Sequence, residues 1–277
     1  MAIKGKVDIK RYLRQDKLPH IWCPGCGHGI ITGALLRAIH NAGLDQDKTV
    51  VVSGIGCSSR ASGYLDFDTL HTTHGRALAF ATGVKMANPE LTVIVMTGDG
   101  DAAAIGGNHL IHAARRNIGI TCICLNNSIY GMTSGQYSPT TPTCALATTA
   151  PYGNIDTPFD LCKLVTAAGA SYVARGTAMQ TRQLERLITK GLQNDGFSFI
   201  EAIAQCPTYF GRKNKQGDAY RMMQLQQEIS VPAARAATMT PEELAGKLVV
   251  GELHNVPRQE YTKAYEAVLA RAQGREG

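Results

Sequence analysis

Residues 91–136 constrain this chain more than any other stretch, because they read as two buried strands joined by a single helix. Leu91-Thr92-Val93-Ile94-Val95-Met96 is an apolar run that breaks at Gly98-Asp99-Gly100-Asp101. Residues 102–117 then place Leu110, Ile111, Ala113 and Ala114 at helical spacing, and a second apolar run, 120–125, breaks at Asn126-Asn127. Strand, crossover helix and strand form a βαβ unit, whose fixed handedness sets both breaks at the same carboxyl edge of neighbouring parallel strands. Open α/β sheets bind their ligands at that edge.

The residue types at the two breaks suit an anion held through a cation. Gly98 and Gly100 permit a tight turn and close backbone approach to a diphosphate, and the helix that follows offers free N–H groups and the positive end of its dipole. Asp99 repels bare phosphate, so a cation has to lie between them. Magnesium commonly shares one or two carboxylates with ligand phosphates, and the amide oxygen of Asn127 is a fitting neutral partner.

The flanking sequence extends the same α/β pattern: a mostly parallel sheet with helices on both faces. A short buried strand, 49–53, ends in Gly54-Ile55-Gly56-Cys57-Ser58-Ser59, which reads as an ordinary strand-to-helix turn or as another ligand loop. An Ala-rich helix over 76–87 stops at Pro89; before it stand His71 and His74, a residue type that at such a point serves as a cap, a packing group or a ligand contact. Helices are expected over 29–41, 159–168 and 179–193, and strands over 171–174 and 197–204, with Cys206 just past the last. Residues 137–154, rich in Ser, Thr and Pro, form a loop. The domain is expected over 21–208. Residues 1–20 form a polar arm wrapping a neighbour or the domain surface, and 209–277, too polar for a second core, form an interface arm ending in a helix over 259–272.

Charge and cysteine content narrow the class. The formal net charge of +6 is spread along the chain, with no dense basic patch. That argues against nucleic acid and leaves a modest attraction for an acidic electron carrier. No run approaches the roughly 18–20 apolar residues of a membrane helix, and residues 1–16 lack the apolar core of a signal peptide, so a cytoplasmic location is expected. In that compartment eight cysteines point to metal ligation or burial rather than disulfides. Cys23-Pro24-Gly25-Cys26 stands at a helix N-terminus, where the dipole is expected to lower the thiol pKa. Together with Cys57 and Cys206 this pair reads as a cubane cluster site, a structural zinc site or unconnected buried thiols. Cys122 and Cys124 share one face of a strand and read as small core hydrophobes, Cys162 lies on a helix and Cys144 in a loop.

Taken whole, Gly98-Asp99-Gly100, then Asn126-Asn127, then Ile129-Tyr130-Gly131-Met132-Thr133-Ser134-Gly135-Gln136, resembles the thiamine-diphosphate signature, and more narrowly the β subunits of 2-oxoacid:ferredoxin oxidoreductases. The resemblance runs across roughly residues 22–208. It implies the diphosphate-binding domain of the thiamine-diphosphate fold, with magnesium on Asp99, Asn127 and the carbonyl of Ile129. Thiamine diphosphate would be contacted by Ile55, Gly56, Cys57, Ser58, His74, Gly98, Gly100, Asp101, Gly131 and Met132, with His74 the one catalytic candidate in this chain. One 4Fe-4S cluster on Cys23, Cys26, Cys57 and Cys206 is implied as well.

The resemblance also implies an α subunit carrying the pyrimidine-binding domain and the cofactor-activating Glu, an (αβ)2 assembly, ferredoxin as electron partner, and coenzyme A and a 2-oxoacid as substrates. Cys206-Pro207-Thr208-Tyr209-Phe210-Gly211-Arg212 and Tyr130-Gly131-Met132-Thr133 look more like the 2-oxoglutarate branch than the pyruvate branch. The implied reaction is reversible conversion of 2-oxoglutarate and coenzyme A to succinyl-CoA and CO2. Ser134 departs from the Lys of many relatives, which leaves the second carboxylate of 2-oxoglutarate to Arg212 or to the partner. Two readings compete: a non-redox thiamine-dependent decarboxylase subunit, which has no use for the four cysteines, and a zinc-stabilised binding module without chemistry.

Overall fold

A computed structural model describes residues 7–275 of the chain. Its centre is an eight-stranded sheet in the order β2-β1-β3-β4-β6-β5-β8-β7. The strands are β1 (Thr49–Ser53), β2 (Asp68–His71), β3 (Thr92–Gly98), β4 (Ile120–Asn126), β5 (Tyr172–Thr177), β6 (Ser198–Ile203), β7 (Ser230–Pro232) and β8 (Leu248–Asn255). From β2 through β5 every pairing is parallel. The expected βαβ unit is present, with Val93 opposite Ile120 and Gly98 opposite Leu125.

Both faces of the sheet are covered, which is why β3 over 93–96 and β4 over 122–125 are apolar on both sides. Helices α1 (His28–Ala42) and α5 (Thr181–Gln193) pack on one face, where Leu35, Leu36 and Ile188 meet Ile94, Met96, Ile123 and Leu125. On the other, α2 (Ala77–Ala87), α3 (Gly107–Arg116) and α4 (Leu161–Ala168) bring Leu78, Leu110 and Leu161 against Val93, Val95, Cys122 and Cys124. The alternation follows from the two-residue period of a strand. Cys122 and Cys124 are fully buried on one face, as expected.

The helix expected over 102–117 is two pieces. Asp101–Ile105 is a π-helical turn, and α3 begins only at Gly107. A Cβ on Gly106, at the join, would lie 2.4 Å from the carbonyl oxygen of Asp101, so this tight crossing needs glycine. Strand β2 escaped the sequence reading because three of its four residues are exposed on a sheet edge and carry no hydrophobic signal.

The polar tail is more than an arm. After α6 (Ala219–Ile229), β7 and the short helices α7 (Ala233–Ala236) and α8 (Pro241–Leu244), β8 pairs antiparallel with β5 and extends the sheet. The chain end is also tied back: the Asn117 side chain donates to the carbonyls of Arg258 and Gln259, and the Gly119 N–H donates to Glu260 Oε1 at 2.7 Å, just ahead of α9 (Tyr261–Ala272). At the other end, Tyr12 is buried, stacked on Phe67, with its hydroxyl 3.1 Å from His40 Nδ1. Residues 7–20 therefore lie along the domain surface, while the first six residues of the expected arm fall outside the described residues. Among the described residues no helix is long and apolar enough to cross a membrane.

Candidate active site

Four neighbouring parallel strands deliver the site. β1, β3, β4 and β6 all end at one edge, and their loops present Ile55 to Ser58, Gly98 to Asp101, Asn127 to Met132, and Cys206. Between the first three loops lies a cleft of about 250 Å³. Its lining includes every residue expected to touch cofactor or magnesium: Ile55, Gly56, Cys57, Ser58, His74, Gly98, Asp99, Gly100, Asp101, Asn127, Ile129, Gly131 and Met132. His28, Leu125, Tyr130 and Thr133 also line it and were not among the residues expected to touch cofactor or magnesium.

Asp99 is 2 % exposed, and burial pushes its carboxyl up from the ordinary carboxylate range. Among the described residues no cationic side chain pairs with it. It is held instead by hydroxyls, Ser138 Oγ at 2.5 Å and Thr140 Oγ1 at 2.7 Å. A buried carboxylate lined by neutral donors, opening on a cleft beside the Asn127 amide, is a donor set suited to a hard divalent cation. Ser138 and Thr140 come from the loop after Tyr137, whose composition signals only irregularity; nothing in the sequence pairs them with Asp99.

Asp101 holds loops together. Its carboxylate accepts from the backbone N–H of Gly75 (2.6 Å) and of Ile55 (3.3 Å) and from Thr97 Oγ1 (2.8 Å). His74 Nδ1 stands 2.7 Å from the same carboxylate, off the line of a good hydrogen bond, with a third of its side chain open to the cleft. Asp101 thus lines the cleft with its acceptor capacity largely used in joining three loops.

The glycines of the cleft also answer to the side chains around them. A Cβ on Gly100 would strike the Tyr130 ring at 2.2 Å, and one on Gly98 would come within 2.9 Å of Ser58 Oγ. Both leave room for side chains of the cleft wall. Gly54 is tighter still, since its Cβ would fall 2.0 Å from Asp101 Oδ2. Gly54→Ala is therefore expected to destabilise the domain by about 1–3 kcal/mol through overpacking. Gly83→Ala, on an exposed stretch of α2 with open space around it, should be neutral or stabilising. Paired denaturant titrations check the contrast.

Against this cleft lies a second cavity, of about 210 Å³, lined by Cys23, Cys26, Cys57 and Cys206 with Trp22, Arg60 and Tyr209. The two share Cys57, Asn127, Gly131 and Met132 as a common wall. Hydrogen bonds fasten the three cysteine loops: Trp22 Nε1 donates to the carbonyl of Cys57 at 2.7 Å, Gly27 N–H to that of Gln205, and Gln205 Nε2 to that of Gly25. The expected lowering of the thiol pKa at the helix start does not occur. Burial among other thiols outweighs the dipole, pushing Cys26 up to about 12 and Cys57 up to about 11. Beside Cys26, at 3.2 Å, stands Nδ1 of the buried His28, whose imidazole is held neutral by burial, its pKa pushed down to about 4. Among the described residues no three His, Cys, Asp or Glu side chains form a group able to hold a single metal ion; the four thiols surround a space instead. Cys162 and Cys144 lie elsewhere: the Cys162 thiol donates to Glu201 Oε2 at 3.4 Å, and Cys144 is exposed. Arg212 lines neither cavity.

A parallel sheet whose adjoining strand ends carry Asp99 and Asn127 around one cleft defines a thiamine-diphosphate-binding domain. Residues 54–202 match the family described as "Thiamine pyrophosphate enzyme, C-terminal TPP binding domain". The chain is 59% identical over 260 residues to the 2-oxoglutarate synthase subunit KorB of Methanothermobacter marburgensis, covering 94% of this chain and 91% of that protein. It is 53% identical to the KorB of Methanocaldococcus jannaschii, covering 94% and 96%. Among solved structures, the 2-oxoglutarate:ferredoxin oxidoreductase from Magnetococcus marinus with 2-oxoglutarate, coenzyme A and succinyl-CoA bound superposes with a TM-score of 0.86 at 33% identity, covering 97% of this chain and 91% of that one. The chain belongs to the KorB-type β subunits of the 2-oxoacid:ferredoxin oxidoreductases.

Proposed function

We propose that this subunit, with an α subunit that supplies the pyrimidine-binding domain and the activating Glu, converts 2-oxoglutarate and coenzyme A reversibly to succinyl-CoA and CO2. Cys23, Cys26, Cys57 and Cys206 would hold a 4Fe-4S cluster, which would supply one-electron transfer to a ferredoxin, in an (αβ)2 assembly. The observation that carries this reading is the shared wall: the cleft beside Asp99 and the four-thiol cavity meet at Cys57, Asn127, Gly131 and Met132. A non-redox decarboxylase has no use for a ring of thiols there. A ring around a space of about 210 Å³ suits several irons better than the tetrahedral grip of a lone zinc.

When bound, thiamine diphosphate supplies an electron sink that lets a 2-oxoacid lose CO2. The chain's own part is placement. Asp99, Asn127 and the Ile129 carbonyl would hold magnesium, and with it the diphosphate end. His74, braced beside Asp101, lines the cleft where it can hold or pass a proton at its free ring nitrogen, Nε2. Tyr130, with its hydroxyl donating to the Gly100 carbonyl and its pKa pushed up to about 12 by burial, stays neutral and walls the cleft. The polar tail serves the subunit interface only beyond what β8 already uses.

The test is anaerobic metal and cofactor analysis of the complex, followed by electron paramagnetic resonance on adding 2-oxoglutarate or pyruvate. About four irons per chain and a 2-oxoglutarate-dependent radical or reduced-cluster signal are expected. A signal from pyruvate alone would overturn the substrate, and full activity without iron would restore the non-redox reading.

A further inference from the structure

Beneath the loop that carries Asn127 and Ile129 lies a buried chain of polar groups that the cofactor contacts do not use. Arg175 on β5 and Glu201 on β6 are directly opposite each other, with Arg175 Nε donating to Glu201 Oε2 at 2.6 Å. Asp160 accepts from the far end of the same guanidinium at 2.5 Å. The other carboxylate oxygen of Glu201 accepts from Asn126 Nδ2 at 2.7 Å. Glu201 is 2 % exposed, Asn126 6 % and Arg175 7 %.

This contact decides which way Asn126 points. An ionised carboxylate only accepts, so the amide nitrogen must face Glu201 and the amide oxygen must face the other way. There Asn126 Oδ1 accepts from the Ser128 N–H at 2.9 Å, at a residue with φ +58, and lies 3.0 Å from Thr140 Oγ1. That left-handed turn carries the backbone from Asn127 to Ile129. The Thr140 hydroxyl has a single proton and also stands 2.7 Å from Asp99 Oδ2, so the amide oxygen and the carboxylate compete for one donor.

We propose that Glu201 is a positioning residue for the metal and diphosphate site: held by Arg175, it sets the orientation of Asn126, which sets the turn carrying Asn127 and Ile129 and the hydroxyl beside Asp99. A salt bridge in the sheet core is by itself weak evidence for stability, whereas outer partners that orient metal ligands typically govern affinity about 10–100-fold. The inference rests on the magnesium site proposed above.

The experiment is a swap in the purified αβ complex, read by thiamine diphosphate binding with and without magnesium. Glu201→Gln leaves Arg175 an acceptor only by turning its amide nitrogen toward the nitrogen of Asn126. Asn126→Asp leaves the Arg175–Glu201 pair intact but sets two carboxylates face to face. Each single variant is expected to weaken magnesium-dependent binding about 10–100-fold. The double variant, in which the side-chain amide introduced at position 201 can donate to the carboxylate introduced at position 126, should recover most of the loss at unchanged iron content. Parent-like binding in both single variants, or a double variant no better than the weaker single, would overturn the proposal. Should Glu201→Gln not assemble, Asn126→Asp alone decides: parent-like magnesium-dependent binding sinks the idea. A parent complex that binds the cofactor without any need of a divalent cation would instead refute the magnesium site itself.

Discussion

Asp99→Ala is expected to abolish magnesium-dependent binding of thiamine diphosphate while leaving the iron content of the complex unchanged. The carboxylate is 2 % exposed and is oriented by Ser138 and Thr140 toward a cleft in which, among the described residues, no cationic side chain pairs with it. Burial raises the cost of its charge, a cost that a cation beside it would offset. Removing the ligand itself should cost more than the roughly 10–100-fold that losing an outer partner costs. The apo fold should survive, since the hydroxyls of Ser138 and Thr140 retain Thr141 and Asn126 as partners. Calorimetric titration of the cofactor into the complex, alongside iron analysis, checks both halves. Joint loss of cofactor and iron would mean that the two cavities are one site.

Cys206→Ala should do the reverse, lowering iron from about four per chain to near none while the cofactor still binds. Cys206 stands past the end of β6 and lines only the thiol cavity. Its neighbour Gln205 locks that loop to the Cys23 to Cys26 loop through the Gly25 carbonyl and the Gly27 N–H, so the other thiols keep their places. Three thiols cannot replace four where each iron needs a protein ligand. Cys57 lines both cavities, so Cys57→Ala should impair iron and cofactor together. Untouched iron in Cys206→Ala would remove that residue from the ligand set.

Elements with local causes were legible. The runs 91–96 and 120–125 became β3 and β4, and the breaks after them became the walls of the cleft, because a strand buried on both faces must be apolar throughout and must end where polar loop residues begin. Edge strand β2 and the tail strand β8 were missed for the converse reason: Asp68, Leu70 and His71 are exposed, and β8 mixes its apolar residues with Glu252, His254 and Asn255. The pairing of β8 with β5 spans more than seventy residues of chain and follows from a sheet edge left open, which no local pattern records.

The sequence by itself determined the class of this protein, since Asp99, Asn127 and the turns beside them lie in one βαβ unit whose handedness leaves a single arrangement. Only the tertiary structure decided that Cys23, Cys26, Cys57 and Cys206 line one cavity, that this cavity shares a wall with the cleft, and that Glu201 on β6 reaches Asn126 on the neighbouring β4. It also reversed the expectation for the thiols, which burial raises where the helix dipole alone would lower them. The physical reason is the same in each case. Strand formation responds to neighbours a few residues away, whereas convergence of loops and desolvation of a charge depend on everything packed around them.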